Sequence, residues 1–170
     1  MGKPDADAGA VVHAELADRL LRMYPEEVRA CLDELDEEQI WWRPNAESNS
    51  VGNMVVHLTG NLNHYLGQGV LVSGYRRDRP AEFAETGPIA KDVLRARFDE
   101  AVERARGAFE RATPGRWLET ADLGPESMPI GQLLVAVTAH FSGHVGQIIY
   151  VTKMLQAGVF EDLWKRVRDH

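Results

Sequence analysis

Residues 138–147 read TAHFSGHVGQ and lie inside a longer apolar run, PIGQLLVAVTAHFSGHVGQIIYVTKML, residues 129–155. Leu133, Val137, His140, His144, Ile148, Val151 and Leu155 recur at spacings of three and four. That is one face of a helix with 3.6 residues per turn, so a helix from about Pro129 to Gln156 is expected, with Gly158 as its C-cap. His140 and His144 fall on the core seam of this helix rather than its solvent face. Residues four apart on a helix are neighbours, close enough to bind one ion, and neutral imidazole is the commonest metal ligand. Two core histidines satisfied by hydrogen bonds are the alternative. Gly143 and Gly146 each cost a helix interior about 1 kcal/mol relative to alanine. With Ala136 and Ala139 they make a stripe of small residues, expected to let another helix approach closely within the bundle or across a dimer. A kink near the histidines is the rival reading.

Working outward, three further segments have helical spacing. From about Val11 to Leu35, Leu16, Leu20, Met23, Val28, Leu32 and Leu35 share a side, and Pro25 should kink the helix or restart it as a first-turn proline. WWRPNAESNS (41–50) breaks the pattern, and Ser48 or Ser50 can cap a second helix running from Val51 to Val72. SGYRRDRPAEFAETGP (73–88) reads as a loop. IAKDVLRARFDEAVERARGAFERA (89–112) is amphipathic, with Val93, Phe98, Ala101, Val102, Ala105, Ala108 and Phe109 facing inward. TPGRWLETADLGPES (113–127) is a second long connection, and FEDLWKRVRDH (160–170) adds at most one short helix. The expectation is all-α: a four-helix bundle with long connections, one domain over 1–170 and its core at about 11–157.

The second helix offers partners for the histidine pair. Within GNMVVHLTGNLNHYLGQ (52–68), Val51, Val55, Leu58, Leu62 and Leu66 form an apolar ridge, and Met54, His57, Asn61, His64 and Gln68 a polar seam beside it. His57 and His64 are seven apart, and either can reach a shared metal. His57, flanked by Val55, Val56 and Leu58, is the more buried candidate, and His64 reads as pocket lining. The site is therefore His57, His140 and His144. Three neutral imidazoles leave an open position for water or substrate, and they suit zinc, nickel or iron. Asn61, His64, Gln147 and Arg76 are candidate substrate contacts. Gln147 shares the face of His144 and can orient a ligand, while Arg76, Arg77 and Arg79 can bind a carboxylate. Trp41 and Trp42 are expected at the pocket mouth or in plain packing. His13 and His170 are expected to be solvated, and Cys31 to be buried and inert.

Composition narrows the function. The formal charge is 19 − 26 = −7, which argues against binding a phosphate backbone, an interaction that rests on Lys and Arg. One cysteine excludes an internal disulfide. The run from Ile130 to Leu155 is broken by His, Ser, Gly, Gln and Lys, so no membrane span is expected. The N-terminus has no basic start followed by an apolar stretch, so a cytoplasmic protein is expected.

WWRPNAESNSVGNMVVHLTGN, YRRDRPAEF and AHFSGHVGQIIYVTKML, in that order, resemble the DinB-like (DinB/YfiT) superfamily of metal-binding four-helix bundles over roughly Trp41 to Leu155. The resemblance implies a divalent metal at one end of the bundle, held by one histidine of the second helix and the HxxxH pair of the last. Carried over, these are His57, His140 and His144. It also implies a homodimer and, as in several members, transfer of a low-molecular-weight thiol to an electrophilic small molecule. The alternative is a non-catalytic metal- or ligand-binding bundle.

Overall fold

A computed structural model describes residues 7–158 apart from 86 and 88. The expected tail helix and His170 lie outside the described residues. Within them the chain is all-α, with six helical segments and no strand. α1 runs through an α-helical Ala8–Asp18, a π-helical Arg19–Met23 and an α-helical Tyr24–Glu34. Pro25 sits in the first turn of that last stretch, immediately after the π segment. Having no N–H, it cannot continue the preceding ladder, so the helix restarts there without ending. α2 is the short Glu37–Trp41, closed by a capping box between Asp36 and Gln39. α3 is Val51–Asn61, a π-helical Leu62–Gln68 and Gly69–Leu71. Ser50 caps α3 and Asn53 completes the capping box. α4 is Arg79–Ala84, α5 is Lys91–Arg111 and α6 is Ile130–Leu155.

The four long helices pack in a ring: α1 lies on α5 and α6, and α3 lies on the same two. Two helices beyond the expected four, α2 and α4, are short pieces inside segments read as loops. Phe98 and Phe141 are the largest fully buried side chains. Their rings stack 6.2 Å apart, and Tyr24 lies 6.5 Å from Phe141, joining α5, α6 and α1. Each such burial contributes about 1.5–3 kcal/mol. The α5 seam is as expected except at its start. Val93 is 41% exposed and Leu94 1%, because the buried stripe of Phe98 continues back four residues, not five.

At 26 residues, α6 is long and apolar enough to cross a bilayer by length and composition, contrary to the sequence expectation. In this fold its seam is core: Leu133, Leu134, Val137, Phe141, Val145 and Ile148 are buried. The connection before it forms two 3₁₀ turns, Pro114–Arg116 and Gly124–Glu126. A bridge between Thr120 and Pro129 and the bond from Asp122 N–H to the Gly69 carbonyl tie it to α3 and α6.

Candidate metal centre

The buried ridge of α3 and the seam of α6 turn the histidines toward one another. His57 is 2% exposed, while His140 and His144 are half-buried. One nitrogen from each lies within 4.8 Å of the others, and ring centroids are 4.5–5.1 Å apart. His57 Nε2 and His140 Nε2 are 2.9 Å apart. Nitrogens bound to one zinc at about 2.0–2.1 Å span at most about 4 Å. The His57–His140 pair already lies within that span, and the 4.8 Å limit on the set exceeds it only slightly.

His57 is oriented by a residue the sequence did not mark. Its Nδ1–H donates to Glu82 Oε2 at 2.9 Å. This fixes the tautomer and leaves the Nε2 lone pair directed at the cluster, the arrangement common behind metal-binding histidines. Glu82 is 6% exposed and is clamped from the other side by Arg77, whose Nε and Nη2 donate to its two oxygens at 2.7 Å each. Burial pushes the Glu82 carboxyl up, but the bonds from His57 and Arg77 outweigh it and hold the group below its ordinary range. The fit requires Gly60: a Cβ there would stand 2.0 Å from Glu82 Oε1. Glu82 comes from α4, the helix unforeseen inside YRRDRPAEF. Asp78 caps it and Pro80 stands in its first turn, a start signal that was legible. The burial of Glu82 was not.

Burial, then His144, His57, Arg77 and Arg79, push His140 down to about 4. His144 is lowered by burial and by His57, against a bond to Gln147. Both rings are therefore neutral at pH 7 and able to ligate.

A cavity of about 320 Å³ opens on the His57 and His140 edge of the cluster, with Asn61, Tyr65, Arg77 and Arg79 among its walls. Asn61 is thus where the sequence placed it. Gln147 is not in this cavity; its Oε1 lies 2.9 Å from His144 Nδ1, so it orients a ring. His64 lies in an adjoining cleft, 3.6 Å from Glu126. Arg76 is exposed and lines neither hollow, and Arg77 and Arg79 take the positions expected of it. Trp41 packs against Gly52 and Gly87, away from the cavity, and donates to the Ile89 carbonyl at 3.3 Å. Trp42 packs against the core. His13 is not solvated: it packs on Phe109 and Trp117. Cys31 is fully buried, and burial pushes its thiol up to about 11. Ala136, Ala139, Gly143 and Gly146 face outward, and a Cβ at either glycine meets nothing within 4 Å. Among the described residues no helix of the same chain makes the close approach that was one of the two uses expected of this stripe.

A family model described as Protein of unknown function (DUF1572) matches residues 12–165. A comparison with curated proteins finds no match.

Proposed function

The chain belongs to the DUF1572 family, and from that membership we propose that it is a divalent-metal protein built as a DinB-like four-helix bundle. The grouping of DUF1572 with the DinB-like families supports this, as does the ring packing of four long helices. The observation that carries the reading is the convergence of three imidazoles from α3 and α6 within 4.8 Å. The donor set fits zinc, nickel or iron.

We infer that the chemistry is transfer of a small thiol to an electrophile. A bound ion would supply Lewis acidity, favouring a thiolate near neutral pH. In the transfer, sulfur bonds to carbon, the leaving group departs with its electron pair, and the thiol proton passes to solvent. The chain's own contributions are three. His57, His140 and His144 hold the ion, Glu82 and Gln147 hold two of those rings, and the cavity on the His57 side admits substrate. Monobromobimane, an alkylating electrophile, tests this with a panel of small thiols. Conjugation should be faster with metal-loaded protein than with chelator-stripped protein and lost in His140→Ala. Equal rates in all three would remove the transferase reading.

One observation favours a further role for α6 as a homodimer surface. Val135, Tyr150 and Met154 are exposed on it beside Gly143 and Gly146. A second copy could use the closeness that the small residues allow. Light scattering should give twice the 19.0 kDa chain mass for wild type and a monomer for Gly143→Arg. A wild-type monomer would contradict it.

A further inference from the structure

Three features of the cavity wall are not explained by holding an ion. Arg77 lines the cavity, but Glu82 already takes its guanidinium through both of its oxygens. Arg79 is different. It makes no hydrogen bond or ion pair among the described residues, and its guanidinium lies over Phe83, 5.4 Å from the ring centroid. Phe83 in turn packs on His57 at 4.7 Å, so this cation, though exposed, lies close to the histidine cluster. Asn61, one turn beyond His57 on the same face of α3, is 3% exposed, and its side-chain oxygen has no partner among the described residues. An unpaired buried acceptor is costly, and a bound donor recovers that cost. An apolar wall from α6, including Leu133 and Val137, faces these groups.

Resting on the metal-site reading above, we propose that this cavity binds a small carboxylate that also carries an N–H or O–H donor. Arg79 holds the carboxylate, Asn61 Oδ1 accepts from the donor, and the remaining end of the molecule faces the histidines. The assignment separates three arginines that sequence alone left equivalent. Arg76 is exposed and lines neither hollow, Arg77 is consumed by Glu82, and Arg79, exposed as well, lines the cavity without a partner among the described residues. A charged partner for an unpaired guanidinium is the strong kind of hydrogen bond.

Three thiols form a ladder that tests the proposal: 1-propanethiol, which has neither group, 3-mercaptopropionate, which puts a carboxylate in place of its methyl, and cysteine, which adds an amine to that. Affinity is read by calorimetry on cobalt-loaded and on metal-free protein. We expect roughly a tenfold gain at each rung. Arg79→Ala should abolish the carboxylate rung, with Arg79→Lys restoring part of it. Asn61→Ala should abolish the amine rung. Neither variant should change the affinity for 1-propanethiol or the cobalt content. A flat ladder in wild type, or rungs that survive their variants, would overturn the proposal while leaving the metal site standing. Failure to retain cobalt, with the ladder intact in metal-free protein, would overturn the metal reading and leave the carboxylate pocket standing.

Discussion

At the scale of single residues, the account turns on Glu82 and Gly60. Metal-site partners of this kind typically contribute 10–100-fold to affinity. Glu82→Gln should therefore weaken zinc binding by about that factor, and Gly60→Ala should do the same, because its Cβ would displace the carboxylate. Competition with a chromogenic chelator checks both, alongside circular dichroism to confirm that the helices persist. Unchanged affinity in both variants would make the Glu82–His57 contact incidental. The histidines also set a pH dependence for the metal-free protein. His140 titrates near 4 when folded against an ordinary 6.5, and His144 is shifted the same way. Between those values the unfolded chain binds more protons than the folded one, so stability falls as pH drops from about 6.5 toward 4 and is level above. Thermal melts in chelator across this range should show it, and replacing His140 with Gln should flatten the fall. A melting point independent of pH through that window would contradict the assigned environment. The convergence of the three histidines was legible because seam position and spacing are sequence properties. Glu82 was not, because its meaning depends on α4 folding back onto a glycine in another helix.

At the scale of elements, periodicity located the long helices and missed the short ones. α2 and α4 have five and six residues, too few to show a 3.6-residue period, and only the signals at their starts, the Asp caps and Pro80, announce them. The end of α3 is unusual for a different reason. Val72 adopts a left-handed conformation, φ 53°, where a β-branched side chain is crowded. It is exposed, so little packing opposes a change. Val72→Gly should raise stability by up to about 1 kcal/mol, read from chemical denaturation. A loss of stability would mean that Val72 supports the loop that leads to Arg77 and Arg79. The outward face of α6 shows a limit of pattern reading: small residues on a helix announce that close approach is possible, not which neighbour uses it.

At the scale of the whole molecule, four long helices pack in a ring, with the converging histidines on two of them and the arginines of the cavity on the segment between α3 and α5. α3 and α6 supply the imidazoles, so these are held by well-buried parts of the fold. The 73–90 segment supplies Arg77, Arg79 and Glu82, which position a ring and line the cavity. This division explains why the all-α class and the histidine cluster could be read from spacing while the cavity could not. Packing of α3 on α6 is written in hydrophobic period; the seating of a loop is written in contacts between distant residues. The central claim is that His57 joins His140 and His144 in holding one ion. Elemental analysis of tag-free protein, exposed to zinc or nickel and desalted, tests it beside His57→Ala. The account predicts about one metal per chain in wild type and its loss in a variant that keeps its helices. Wild-type protein that retains no metal, or a variant that retains as much, would contradict it.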